Sequence, residues 1–382
     1  MENMRIRLFS LAIHIATFTL VLVSIICSFE EELHFITDSE SNINLNEVRL
    51  EPTFEVADDG QEYVWQLPAS KVNGVILLAP GCHHAATDFW DKQRGCEDCI
   101  GLPEEKRIVR TALSRGYAVI AVSAGGRGFN PECWDVTFPT IDESSDISPT
   151  IFVLQTWLRE KSLSHVPVYA IGASSGGAFV LVLALRFPFA AVCSQIMAAP
   201  PNVFRASNIG DAEEGRTWKY PPTLFVHMPR DSRTAARVKH GLSVLHKEKV
   251  PAKELRVMPK PLTPSFLSER ITSMPKDTSA AIYAVLREAG TIDERGFLRE
   301  DPRSPTSGWR EALRALQGRP GLAGDSLAPD ESPIAEELNV LYARHEIVSD
   351  FMQETLDWFE ASLGSTLQAH AEHLAHQAHQ EP

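Results

Sequence analysis

The amino-acid sequence predicts an α/β protein: a mostly parallel, doubly wound sheet with a helical insertion before its closing helix. Three observations carry this. Several runs of strand length are apolar throughout, as strands buried on both faces require. Helical stretches recur between those runs at βαβ spacing. One segment, 263–332, breaks the rhythm with helix formers interrupted by proline and glycine.

The first β-type segments are Tyr63-Val64-Trp65-Gln66-Leu67 and Gly74-Val75-Ile76-Leu77-Leu78-Ala79, with antiparallel pairing expected at the start of the sheet. A helix carrying Ile108, Val109, Ala112 and Leu113 then ends at Gly116 and leads into Tyr117–Val122, which makes a βαβ crossover. A second helix, Thr150 to Lys161, precedes the strand Val166–Ile171, and a Gly/Ser turn opens a third, Ala178 to Leu185. Val192–Met197, Thr223–Met228 and Glu254–Met258 read as later strands, and Val348 to Leu363, apolar at Phe351, Leu356 and Phe359, reads as the helix that closes the sheet. The insertion holds the helix-forming run Ser279–Arg287 between breaks at Asp301–Pro305 and Gly318–Gly324.

The expected organisation is therefore a signal anchor or signal peptide at 1–29, a linker at 30–51, the core at 52–262, a helical insertion or lid at 263–332, completion of the core at 333–365, and a histidine-rich tail at 366–382. Residues Leu8 to Phe29 are almost unbroken apolar sequence, preceded by Arg5 and Arg7 and followed by Glu30-Glu31-Glu32. A run of about 20 apolar residues suits a bilayer-spanning helix better than a cleaved signal. The charges place the N-terminus in the cytoplasm and the body of the chain in the lumen or outside. A secreted protein released by cleavage is the alternative. In the tail, His370, His373, His376 and His379 recur at a spacing that spirals around a helix, so it reads as a solvated low-complexity segment.

Over 382 residues the formal net charge is -14. With no clustered basic stretch, that argues against a nucleic-acid partner. Four cysteines, Cys82, Cys96, Cys99 and Cys133, share one stretch. An oxidising compartment would let them pair in any of three ways. Free thiols and zinc binding through Cys96-x-x-Cys99 with His83 and His84 are the competing readings, though for zinc no second ligand pair of matched spacing follows.

The chemistry centres on Gly172-Ala173-Ser174-Ser175-Gly176, between a buried strand and an apolar helix. A serine hydroxyl is a poor nucleophile unless it is held exposed, beside a histidine base, facing donors for an oxyanion. A Gly-x-Ser-x-Gly turn in strand–turn–helix context supplies the exposure, and the glycine two residues earlier selects Ser174 over Ser175. The acid and the histidine should follow in that order, each on a loop after a later strand. Asp231, in Pro229-Arg230-Asp231-Ser232, fits the acid; a plain helix cap is its structural alternative and Asp211 the substitute candidate. His345 fits the base, since His240 and His246 come too soon after Asp231 and His227 lies inside a strand. The oxyanion donors expected are the backbone N–H groups of Ser175 and of Cys82, with Gly81 supplying the bend before Cys82. Gly125-Gly126-Arg127-Gly128 lacks the dinucleotide-binding pattern and reads as a loop rimming the site.

On these residues the chain resembles the α/β-hydrolase superfamily from about Val64 to Leu363. It looks most like poorly characterised eukaryotic members with a Gly-Cys-His segment, here Gly81-Cys82-His83-His84-Ala85-Ala86-Thr87-Asp88-Phe89-Trp90. Cys96-x-x-Cys99, Gly101-Leu102-Pro103-Glu104-Glu105, Cys133-Trp134, the Ser174 turn with Gly177, and His345-Glu346 extend the likeness. The Gly-Cys element is also similar to the polyhydroxybutyrate depolymerase and feruloyl esterase group, with Pro80 standing where many relatives have histidine. The resemblance implies a serine hydrolase acting on a small-molecule ester or acyl substrate, possessing no metal or organic cofactor. A catalytically inactive binding module and a serine peptidase are the rival expectations.

Overall fold

The computed structural model describes residues 45–126, 133–136, 144–199, 203–204, 219–322 and 332–363. The chain divides into Met1–Glu47 and Val48–Pro382. Of the first unit only the 3₁₀ turn Leu45–Glu47 is described. The apolar run Leu8–Phe29, Asp211, part of the Gly125–Gly128 loop and the histidine-rich tail lie outside the described residues. Among the described residues no helix is long and apolar enough to cross a membrane.

The second unit has the α/β-hydrolase fold. Its eight strands are β1 (Thr53–Val56), β2 (Glu62–Gln66), β3 (Gly74–Ala79), β4 (Tyr117–Val122), β5 (Val168–Ala173), β6 (Ala191–Gln195), β7 (Thr223–His227) and β8 (Ala252–Arg256). They lie in the order β1-β2-β4-β3-β5-β6-β7-β8. β2 is antiparallel to both its neighbours, and the pairs from β3 onward are parallel. β3 to β7 are buried along their whole length, whereas β1 and β8 at the edges are half-exposed. That contrast explains why the sequence announces the inner strands and not β1. Four half-exposed residues, Thr-Phe-Glu-Val, leave no continuous apolar run.

Each inner strand feeds two cores by the period-2 alternation of its side chains. Val75, Leu77 and Ala79 pack on one face with Trp157, Phe179 and Val238. Ile76 and Leu78 pack on the other with Ile108, Val109, Met352, Leu356 and Phe359. The helices that supply these residues are α1 (Pro103–Ser114), α2 (Ile147–Glu160), α3 (Ser175–Leu183), α4 (Ser232–Lys247) and the closing helix over 352–363. Fully burying one such side chain contributes about 1.5–3 kcal/mol. Sheet and helices therefore stabilise each other through both faces.

Between β8 and the closing helix stand α5 (Phe266–Arg270), α6 (Lys276–Glu288), α7 (Trp309–Leu313) and α8 (Pro333–Tyr342). They share a third core of Leu267, Ile282, Leu286, Trp309, Leu313 and Leu338. Arg270 of α5 binds Glu104 of α1 at 2.9 Å, Glu337 of α8 at 3.2 Å and Asp350 at 2.5 Å, so one buried guanidinium ties this layer to the sheet-covering helices.

The cysteines pair as Cys82–Cys133 and Cys96–Cys99. The second bond consumes the thiols of the Cys-x-x-Cys spacing, and among the described residues no His/Cys/Asp/Glu group could hold a metal ion. The zinc alternative is thereby corrected: with both sulfurs spent on a bond to each other, neither is left as a thiolate ligand.

Candidate active site

The crevice where the sheet order reverses, at the carboxyl ends of β3 and β5, is where open α/β sheets place their sites. Ser174 follows β5 immediately, at φ 52° and ψ −119°, and caps α3. A non-glycine residue held there is strained, which the surrounding packing must impose. The glycines show how. A Cβ on Gly172 would lie 2.1 Å from the Gly176 carbonyl oxygen, and one on Gly176 would lie 2.1 Å from that of Ala79. The turn is thus pressed against both its own helix and the end of β3. The Ser174 N–H donates to the Gln195 carbonyl at 3.0 Å, fixing the turn to β6 as well.

Ser174 Oγ lies 2.9 Å from His345 Nε2, and His345 Nδ1 lies 3.2 Å from Asp231 Oδ2. Asp231 sits after β7 and caps α4: its Oδ1 accepts from the Thr234 N–H at 3.0 Å and its Oδ2 from the Thr234 hydroxyl at 2.6 Å. The cap and the histidine contact are therefore one arrangement, the cap orienting the carboxylate that meets the imidazole. Burial opposes ionisation of Asp231, but the two bonds from Thr234 and that from His345 outweigh it and hold the carboxyl below its ordinary value. His227, His240 and His246 are elsewhere; His227 Nε2 pairs with Glu254 at 2.8 Å.

His345 belongs to a loop held from several sides. α8 ends at Ala343 in the left-handed conformation, φ 54°. Arg344 pairs with Asp301 at 2.9 Å, and Glu346 accepts from Arg303 at 2.7 Å and from Asn339 Nδ2 at 3.0 Å. Beyond it the Val348 N–H donates to Gln195 Oε1 at 2.9 Å. Gln195 thus serves the serine turn with its backbone and the histidine loop with its side chain.

The loop after β3 approaches Ser174 from the other side. Its turn closes with the His84 N–H donating to the Gly81 carbonyl at 3.3 Å. The left-handed residue is His83, φ 63°, rather than Gly81, so the bend expected at Gly81 falls two residues later. A Cβ on Gly81 would meet Ser174 Cβ at 3.5 Å, an ordinary contact. Two ties anchor the loop: the Cys82–Cys133 bond, and the Trp134 Nε1–H donated to the Pro80 carbonyl at 2.8 Å. Trp134 itself stacks on Phe179 of α3, ring centres 3.9 Å apart. Among the described residues neither the Cys82 nor the Ser175 N–H donates a hydrogen bond.

A cavity of about 480 Å³ opens beside Ser174 and His345. His84, Glu105, Glu336 and Glu346 line it with Arg303 and Arg310 from the insertion. His84 is raised to about 9: burial opposes its charge, but the bond to Asp88 and the charges of Glu105, Asp88 and Glu346 prevail. Burial pushes Glu105 up to about 7 and Glu336 well above its ordinary value. The sequence marks Ser174, Asp231, His345, Cys82 and Ser175 as site residues; Trp134, His84, Glu105 and Glu346 stand in its family-like segments with no active-site role, and Thr234, Gln195, Arg303, Arg310 and Glu336 are not marked. Thr234 leaves a local signal, as the third residue after a helix-capping aspartate; Gln195, Arg303, Arg310 and Glu336 meet the site only through the tertiary fold.

No family model matches the chain, and no curated protein matches it. Solved structures overlap with it partially. A predicted CIB-like hydrolase from Thermoplasma acidophilum is 15% identical with a TM-score of 0.37, covering 56% of this chain and 88% of that one. Est1E from Butyrivibrio proteoclasticus is 16% identical with a TM-score of 0.35, over 55% of this chain and 89% of that one. An acylaminoacyl peptidase from Pyrococcus horikoshii is 15% identical with a TM-score of 0.38, over 68% of this chain but 44% of its own. At this identity and overlap none of them assigns an activity to the chain.

Proposed function

We propose that the protein is a serine hydrolase that cleaves a carboxylic ester through a covalent acyl-enzyme. The observation that carries this reading is the hydrogen-bonded series from Ser174 Oγ through His345 to Asp231. His345 Nε2 takes the proton as Ser174 Oγ attacks the carbonyl carbon, then returns it to the departing alcohol. Water repeats the sequence to free the acid and restore the serine. Asp231 holds the imidazole with Nδ1 protonated, so that Nε2 presents its lone pair to the serine. The N–H groups of Cys82 and Ser175 receive the oxyanion, where a donor missing at the right place costs a factor of about 10²–10³ in kcat. The insertion contributes Pro302, Arg303, Arg310 and Ser332 to the wall that the substrate meets. The two disulfides support an oxidising compartment, lumenal or extracellular, to which the apolar run Leu8–Phe29 would direct the chain.

The test is covalent labelling by a fluorophosphonate probe. The wild-type chain is expected to label and Ser174→Ala to stay silent while keeping the same circular dichroism. A folded wild type that does not label refutes the enzyme in favour of a binding module.

A further inference from the structure

The cavity beside Ser174 has an unusual wall for an esterase acting on aliphatic chains. Among the described residues it contains six ionisable side chains besides His345: His84, Glu105, Arg303, Arg310, Glu336 and Glu346. Three of them are basic and three acidic. Arg303 is paired with Glu346 at 2.7 Å and His84 with Asp88 at 2.8 Å. Burial raises both the Glu105 and the Glu336 carboxyl. Asn339, a further lining residue, spends its amide N–H₂ on Glu346, and its Oδ1 has no donor among the described residues. Leu102, Ile196 and Ile347 are its larger apolar members.

A wall of this kind penalises an alkyl chain. An apolar slot improves kcat/KM by about fourfold per methylene, the equivalent of about 0.8 kcal/mol. Here each methylene would instead displace water from polar groups that it cannot hydrogen-bond. A hydroxylated ligand exchanges those waters for donors and acceptors of its own.

We propose that the natural substrate is a short-acyl ester of a polyhydroxylated alcohol, with the hydroxyl groups bound by the wall formed by Arg303, Arg310, Asn339, Glu105 and Glu336. This rests on the serine-hydrolase reading above. The Cys82 loop and the Ser174 turn set the chemistry, and the layer between β8 and the closing helix sets the choice.

Two comparisons with the full chain test it. In the acyl arm, kcat/KM for p-nitrophenyl acetate is expected to exceed that for p-nitrophenyl octanoate at least tenfold; in the alcohol arm, glycerol monoacetate is expected to exceed butyl acetate by a similar factor. Arg310→Leu and Asn339→Leu, made separately, should each narrow both ratios while fluorophosphonate labelling of Ser174 continues. If Ser174 labels but octanoate or butyl acetate is the better substrate, the polar-substrate inference is overturned and the hydrolase reading stands. A folded chain that does not label overturns both.

Discussion

Removing the Cys82–Cys133 bond probes the proposed machinery without touching the triad. The perturbation is the double substitution Cys82→Ser/Cys133→Ser, which keeps both backbones and nearly the same volume. The bond spans 51 residues of sequence. A crosslink over such a loop restricts the unfolded chain by about 4 kcal/mol in the chain-entropy account, so urea unfolding should lose roughly that amount of stability. The catalytic expectation is separate. Cys82 supplies a proposed oxyanion donor through its N–H, and the tie holds that N–H beside Ser174. If the loop relaxes, kcat for p-nitrophenyl acetate should fall toward the factor of about 10²–10³ that follows loss of one donor, with little change in KM. Cys96→Ser/Cys99→Ser is the control, because its bond closes a separation of 3 residues. That loop is worth about 1.6 kcal/mol by the same relation, and kcat should not change. Stopped-flow burst kinetics at one pH distinguishes acylation from a mere loss of folded enzyme. A Cys82/Cys133 variant that is less stable yet acylates at the wild-type rate would show that the tie serves stability alone and that the loop finds its position without it.

Other outcomes follow from the same geometry. Asp231→Asn should lower kcat by about 10³–10⁴, since an amide N–H₂ turned toward Nδ1 selects the wrong tautomer, while the bond from the Thr234 N–H survives; steady-state kinetics and circular dichroism separate the two effects. Gly176→Ala must push aside the Ala79 carbonyl 2.1 Å away, so it should cost about 3 kcal/mol in urea unfolding and abolish probe labelling with it. Arg270→Met would strand the carboxylates of Glu104, Glu337 and Asp350, at a cost of about 3–5 kcal/mol. His84 is held protonated to about 9, above ordinary imidazole. Its contribution to stability is therefore full below about pH 6.5 and lost as pH rises through 9. The melting temperature of His84→Gln should lie below wild type at pH 6 and converge with it near pH 10, and an imidazole that titrates in NMR near 6.5 would contradict this.

Much of the fold is legible in the sequence because a parallel strand buried on both faces must be apolar at every position. Gly74–Ala79 and Tyr117–Val122 are accordingly expected at the same bounds that the structure gives them. Edges obey weaker rules, and β1 with its half-exposed Thr-Phe-Glu-Val escapes notice. The insertion is visible as a loss of rhythm, but its attachment is not, since Arg270 meets its partners across separations that no local pattern encodes. The cysteines divide in the same way: their number and compartment suggest pairing, whereas which sulfur meets which depends on where the loops after β3 and β4 come to rest.

The sequence by itself determined the order of events at the site: a serine in a glycine-bracketed turn after a buried strand, then an aspartate after a later strand, then a histidine before the last helix. Local steric and hydrogen-bonding rules suffice for that, because each residue is marked by its own neighbours. Only the tertiary structure decided that Ser174, His345 and Asp231 form one hydrogen-bonded series, that Thr234 and Gln195 orient it, that Cys82 is tied to Cys133, and that the adjoining cavity is walled by charges. Apart from the shorter-range bonds of Asp231 to Thr234 and of Ser174 to Gln195, those contacts join residues 51 to 171 positions apart, and their distances depend on how the layers pack, a property that belongs to the folded chain as a whole.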